Sequence, residues 1–428
     1  MISNSERVRD PGAPAPGRLQ LSGFRRGADR PGADRRRSGA LMAGAANWYA
    51  SGRTAAIALV TVLVWIGFDL DNSRFLSGDN IAGLIDQIVP VGVLSVGMAV
   101  VLLSGEIDLS GAAVGGVAAT VAARLAVGDG LPVGVALLIG VACAVAITLV
   151  EALIITGLGV PSFITTLGGM IALGGLLLLV LPSTFEVNLA GTSLGAINTT
   201  EIPAWVGYAI AAVSAVLGSW AVLAKHRSGS GQPPAARRAA LALRLGGVLV
   251  LCAIGAVTSW VLGTQGGIPV PVLAMIAIVV LGELALRKTA FGVHLLAVGG
   301  SRASARRAGL STRVVVCGAF AVLGVMAFLS GIFDASLDLG VSASSGPSSE
   351  VLDAIASVVV GGTSLFGGSG SITSALVGVA LIGSITNGLL LLGVSVALQS
   401  IVTGLILVAA VAVDMLLSRR AAAGQARA

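Results

Sequence analysis

Charge is what this chain has least of. Only 11% of its 428 residues are Asp, Glu, Lys or Arg, while 55% are apolar, and the mean hydropathy is +0.97. A soluble chain carries roughly a quarter charged residues, so a water-facing globule is excluded. Lysine occurs only at Lys225 and Lys288, and histidine only at His226 and His294. With no Ser-His-Asp or paired His-Glu spacing, no catalytic set is visible. The three cysteines, Cys143, Cys252 and Cys317, each sit in an apolar run, which indicates core residues rather than a disulfide framework or a metal site. No G-x-x-x-x-G-K-[ST] loop occurs, so the chain has no phosphate-binding loop of that kind.

What is present is a series of long, unbroken apolar runs, at about 54–69, 81–104, 110–126, 131–154, 161–181, 203–224, 241–263, 268–287, 314–334, 372–393 and 396–418. Lipid cannot satisfy backbone polar groups, and unbroken rather than alternating runs select helices over a barrel. The expected fold is therefore an all-α polytopic membrane protein. It has about ten transmembrane helices plus a broken or re-entrant glycine-rich hairpin, in two weakly related halves. Residues 1–50 are rich in Arg, Pro and Gly and read as a disordered basic tail; no signal-peptide core follows its arginine pairs. Residues 51–420 form the membrane domain and 421–428 a short C-terminal tail.

The net charge of +6 is carried by arginine and gathers in alternate loops. The tail, 225–244, 288–313 and the end after Arg419 are basic, whereas the intervening loops are acidic or neutral. This asymmetry puts both termini in the cytoplasm and marks loops beside a lipid membrane, not a nucleic-acid surface. Parity then leaves 351–362, half a span long, to pair with 372–393 as a hairpin. It turns through Gly361, Gly362, Thr363, Ser364 and Gly367. Two readings of this run stay open: a discontinuous helix beside a cavity or packed deep among helices, or a tight glycine crossing of helices. The spacing G-x-x-x-L-x-G recurs at Gly105, Leu109 and Gly111 and at Gly361, Leu365 and Gly367, an echo expected of paired interruptions.

Intramembrane polar residues are the candidates for function. Glu106 and Asp108 are two carboxylates between apolar segments, either a helix cap at Asp108 or a proton or cation site shared by the pair. Asp86 with Gln87 is placed to line a polar cavity. Glu151 and Glu283 lie near cytoplasmic helix ends and read as structural or snorkelling. Thr165, Thr166, Asn387 and Gln399 suit helix-to-helix hydrogen bonds, or the donors and acceptors that a neutral polar ligand needs.

Two stretches carry a family resemblance. The first, "TAFGVHLLAVGGSRASARRAGLSTRVV", resembles the coupling segment of bacterial carbohydrate ABC-importer permeases of the ribose/xylose type. Phe291, Gly292, Ala297, Gly299, Gly300, Ala305, Arg306 and Gly309 match its pattern, and Arg307 extends the basic character. The second, "LDAIASVVVGGTSLFGGSGS" followed by "NGLLLLGV", resembles that family's second glycine segment, with Asp353 and Asn387 among the matches. In "SGEIDLSG" the family usually reads G-G-I-D-L-S-V-G, so Glu106 stands for a Gly and Gly111 for a Val. The two apolar segments within 241–287 and "GGIPVPVL" look most like xylose permeases.

The resemblance implies a permease subunit of an ATP-driven importer for a neutral monosaccharide, xylose or a related pentose. It implies alternating access and a bacterial inner-membrane location. The partners it implies are an ABC ATPase docking on 288–313, a periplasmic or lipid-anchored sugar-binding protein and a second permease copy. No cofactor or metal and no covalent chemistry are implied. Coupling falls to Gly299, Gly300, Ala305, Arg306, Arg307 and Gly309, and the pathway is expected near the glycine hairpin and 81–111. Two alternatives stand: an ion-gradient-driven secondary transporter using Glu106 and Asp108, or an ABC permease for ribose, a hexose or a nucleoside.

Overall fold

A computed structural model describes residues 56–227 and 234–425. The basic tail of 1–50 and the end of the 421–428 tail lie outside the described residues. Among those described, nine helices are long and apolar enough to cross a membrane. In chain order the helices are α1 (56–71), α2 (Gly78–Leu103), α3 (Gly111–Ala123, extended by a π turn to Gly128), α4 (Val133–Leu153, extended to Leu158) and α5 (Ser162–Val180). A short α6 (Ala196–Thr199) precedes α7 (Ala204–Arg227), α8 (Pro234–Thr264) and α9 (Val270–Lys288). Two short helices, α10 (Ala290–Gly300) and α11 (Arg302–Arg307), lead into α12 (Thr312–Leu337). The second half ends with α13 (Ser348–Gly361), α14 (Ile372–Leu391) and α15 (Val396–Gln425).

Hydroxyl side chains start several of these helices, because the first turn leaves N–H groups that lipid cannot satisfy. Ser77 caps α2, Thr289 α10, Ser301 α11, Ser311 α12 and Ser371 α14. At the end of the bundle away from α10 and α11, two small ribbons tie distant loops together. Strand β1 (Glu186–Asn188) pairs antiparallel with β4 (Gly340–Ser342), Glu186 opposite Ser342. Strand β2 (Glu201–Ile202) pairs with β3 (Ile268–Pro269).

The centre is α12, packed against α2, α3 and α4. Small residues let it come close: Gly331 lies backbone to backbone on Gly115, and Gly97 of α2 faces Leu323 and Met326. Lipid tails are as apolar as Leu, so close backbone approach rather than hydrophobic burial holds such helices together.

Helix α13 has 14 residues and is about 21 Å long, short of the roughly 30 Å of a hydrocarbon core. It starts part-way down the bundle. Glu350 in its first turn accepts from Ser330 Oγ at 2.9 Å, and the same hydroxyl lies 2.7 Å from the Pro90 carbonyl, half-way along α2. The extended run before it tucks Gly346 against Ala112 and Gly116 of α3. The apolar half-span at 351–362 is thus a broken helix, α13, joined by its glycine turn to a full-length α14.

Gly331→Val is expected to destabilise the bundle by about 3 kcal/mol, since the added atoms meet the Gly115 backbone. Gly174→Val, with open space around it, should be close to neutral. Thermal melting of the two purified variants in one detergent checks the contrast.

Candidate functional site

Three turns meet at the α10–α11 end. The first follows α2, where Gly105 takes a φ of +80°. The second follows α13, which stops because Gly362 turns left-handed at φ +114°. The third is the break between α10 and α11 at Gly300–Ser301. A side chain on Gly299 would overlap the Leu103 carbonyl, and one on Gly367 would come within 2.8 Å of the Gly105 backbone. The Gly368 N–H donates to that Leu103 carbonyl at 3.0 Å, so the second turn satisfies the last turn of α2. Glycine is needed at Gly367 and Gly368 twice over, for this contact and for φ values of +84° and +74°.

Charge holds the same joint. Glu106 is buried at 5% exposure and ion-pairs with Arg302, the first residue of α11. The carboxylate that departs from the family pattern therefore ties the first turn to the coupling segment. Asp108 does something else. Its Oδ1 accepts from the Ser110 and Gly111 N–H groups at 2.8 and 2.7 Å, capping α3. Burial pushes the Asp108 carboxyl above its ordinary range, opposed by these hydrogen bonds, which favour the charged form. The two carboxylates do not share a site.

Asp108 has a different acidic neighbour. Ser110 Oγ lies 3.0 Å from both Asp108 Oδ2 and Glu151 Oε2. Glu151 is buried at this turn instead of snorkelling, with Gly169 of α5 leaving it room. One serine hydrogen serves one of these two oxygens, so closing both contacts takes a proton held on the carboxyl pair. From α5, Ser162 and Thr166 hydroxyls accept the N–H groups of Ile107 and Leu109, both at 3.1 Å. Glu283 takes the structural of its two expected roles: its Oε2 accepts from the Ile372 and Thr373 N–H groups at 2.8 and 3.2 Å, pinning α9 to the start of α14, while its Oε1 pairs with Arg287.

Beyond the joint, α11 projects outward. Ala305 is buried and anchors it, while Arg306 and Arg307 are exposed. Gly309 closes the turn into α12 at φ +82°. Thr363 is fully buried with its hydroxyl 3.4 Å from the Ser371 carbonyl, and Ser364 N–H closes the turn on the Ser369 carbonyl at 2.9 Å. Gly361 packs on the Ser374 backbone of α14.

A second feature lies above the joint, between α2, α13 and α14. It is a cavity of about 70 Å³ lined on its polar side by Gln87, Asp353, Ser357 and Thr386 and otherwise by apolar residues including Val91 and Ile382. Of the pathway candidates read from the sequence, Gln87 alone lines it. Asp86, its neighbour on α2, does not, and lies within electrostatic reach of Glu201. Asn387 spans the helices beside it, receiving Asn80 Nδ2 at 3.0 Å and donating to Gln87 Oε1 at 3.5 Å. The glycines of the hairpin sit at the joint and do not line the cavity. Sequence reading passed over Ser357 and Thr386, and it turned Arg302 toward the ATPase where the structure pairs it with Glu106. The one available signal was Glu106, an acid in a glycine's place that needed a basic partner.

Charge reversal tests the Glu106–Arg302 pair. Glu106→Arg and Arg302→Glu should each lower the melting point, and the double swap should recover part of it, a coupling of about 1 kcal/mol for this half-exposed pair. A double variant no better than the worse single one would remove the pair from the joint's stability.

Residues 80–411 match the family described as "Branched-chain amino acid transport system / permease component". The xylose transport system permease protein XylH of Escherichia coli (strain K12) is 32% identical over 333 residues, covering 77% of this chain and 83% of that protein. Its counterpart from Haemophilus influenzae is also 32% identical, covering 77% and 87%. The ribose import permease protein RbsC of Bacillus subtilis is 39% identical over 121 residues, 28% of this chain and 37% of that one. No solved structure matches. A match over most of the chain, with the turns and loop seated as one joint, shows that the chain belongs to this permease family, among the ribose/xylose-type permeases its motifs resemble.

Proposed function

We propose that this chain is the membrane subunit of an ATP-driven importer for a neutral monosaccharide, xylose or a related pentose. The observation that carries the reading is the joint. An exposed six-residue helix, α11, stands beside the point where both halves of the chain turn, so a push on it reaches both. A separate ABC ATPase docks on α11 and supplies the energy; the permease itself makes and breaks no covalent bonds. In this reading the α10–α11 face, with both termini, lies in the cytoplasm of a bacterial cell, and the membrane is the inner one. A periplasmic or lipid-anchored sugar-binding protein delivers cargo at the β-ribbon end. Two copies form the transporting dimer.

Alternating access then has a mechanical route. Closure of the ATPase shifts α11, and the shift passes through Arg302 to Glu106 and through Gly299 to the Leu103 and Gly368 backbones. Those atoms end α2 and begin the return from α13, and both helices wall the cavity. Glycine contacts carry such movement well, because no side chain cushions the backbones. An ion-driven transporter would place its ion at Glu106 and Asp108. Arg302 already neutralises the first and backbone N–H groups occupy the second, which weighs toward the ATP-driven reading.

Uptake of labelled xylose and ribose, with and without the chain and with the Walker lysine of the partner ATPase mutated, tests the proposal. Xylose or ribose uptake that needs both proteins is the expected result. Uptake that survives the lysine mutation and collapses with an uncoupler would replace it by ion coupling. Arg306→Glu with Arg307→Glu should detach the ATPase or abolish sugar-stimulated ATP hydrolysis while the permease still folds, since both side chains are exposed. Wild-type copurification and hydrolysis would remove them from the docking surface.

A further inference from the structure

We infer that the cavity between α2, α13 and α14 is a cargo-contact site, and that it takes an uncharged polyhydroxylated molecule through Asp353, Ser357 and Gln87. The inference rests on the permease reading and adds to it the residues and the ligand chemistry.

The starting observation is a hydroxyl with nothing to bond. Ser357 Oγ is fully buried and has no hydrogen-bond partner, although it lines a cavity. Serine in a membrane helix normally returns its hydrogen to the carbonyl four residues back, as Ser384 does to Ala380 at 2.5 Å. Ser357 makes no such bond and faces the open space. Buried polar groups left unpaired are rare, and one that lines a cavity points to an absent partner. Asp353 lies one turn earlier on α13, so both reach the cavity from one helix face. Among the described residues Asp353 has no ion-pair partner. Gln87 enters from α2 and Thr386 from α14, so polar atoms arrive from three helices.

The combination selects a ligand class. A carboxylate accepts hydrogens from hydroxyl groups, while serine, threonine and glutamine offer both donors and acceptors. The remaining wall is aliphatic, with Ile88, Val91, Val379 and Ile382, and suits the C–H faces of a sugar ring. Among the described residues no basic side chain lines the cavity. An anionic sugar, a phosphate ester or a uronate, would bury its charge there with no cation to pair with. The cavity of about 70 Å³ holds a few waters and is partly open, with Gln87 exposed, so a sugar needs it to widen. Ile88 fits against Gly383 at its edge, a close contact of α2 with α14 that such widening would loosen.

The test uses the full chain with its ATPase and binding protein. Ser357→Ala removes a hydroxyl that has no protein partner, so the melting point should stay or rise. Its maximal uptake of labelled xylose should nevertheless fall about tenfold. Asp353→Asn should fall at least as far and narrow the preference for xylose over its uronate. Wild-type uptake in both variants would overturn the site. A second measurement does not depend on the energy source. In a background with Cys143, Cys252 and Cys317 replaced by Ala, Ser357→Cys should react with a small uncharged thiol reagent, and xylose with its binding protein should slow the reaction at least threefold. Labelling indifferent to xylose, alongside normal ATPase-dependent uptake, overturns the site and leaves the permease reading standing. Protection by xylose alongside uptake that ignores the ATPase keeps the site and overturns that reading instead.

Discussion

The carbonyl of Leu103 carries more of this structure than any side chain does. It ends a membrane helix where no water can satisfy it, and it is reached by the Gly368 N–H from the other half of the chain while Gly299 presses against it. A helix end in lipid must find a partner or pay for its absence. Here the partner is backbone, which fixes position far more tightly than a flexible side chain would. The glycines around it follow from that contact. Any Cβ at Gly299, Gly367 or Gly368 would push apart the three turns that the contact brings together.

The scarcity of charge follows the same logic. In a membrane interior every carboxylate is costly, and four of those kept here have clear partners. Glu106 meets Arg302, Asp108 caps α3, Glu283 caps α14 and Glu350 accepts from Ser330. Three of these four tie elements together at the α10–α11 end. The fourth sits where α13 begins part-way through the bundle, a place where the chain is least regular. Asp86, with its Oδ1 buried and without a hydrogen-bond partner, and Asp353, on a cavity wall with no cation among the described residues, are the contrast.

Much of this was legible in the sequence because it is local. Apolar runs marked the spans to within a few residues, from 81–104 for Gly78–Leu103 to 372–393 for Ile372–Leu391. The half-length run at 351–362 announced α13, and the recurrence of G-x-x-x-L-x-G marked both turns. The motif could not say that the turns touch, since their contact joins residues about 260 positions apart. For the same reason the motif put the glycines near a pathway without showing that Gly367 and Gly368 seat against Gly105 and Gly300. Glu151 could read as snorkelling or structural because its position near a helix end is visible in one dimension, while Ser110 beside it, which settles the choice, is not. The pairing of β1 with β4 and the cavity are assembled from distant segments, and no periodicity encodes either.

Joint and cavity share the same helices. α2 contributes Gln87 from its first half and Leu103 at its end, while α13 contributes Asp353 and Ser357 along its length and then stops at Gly362. A longer α13 would place regular helix at both levels and stiffen the link between them. In the proposed cycle this short helix, which starts half-way and ends in glycine, tilts as a rod, pivoting where Glu350 meets Ser330 and driven where Gly367 and Gly368 meet Gly299 and Gly300. The polar cavity lies along that rod, between pivot and drive. A helix broken in this manner sacrifices backbone hydrogen bonds that a continuous span would keep, and the sacrifice is intelligible when the break lets one end move the other.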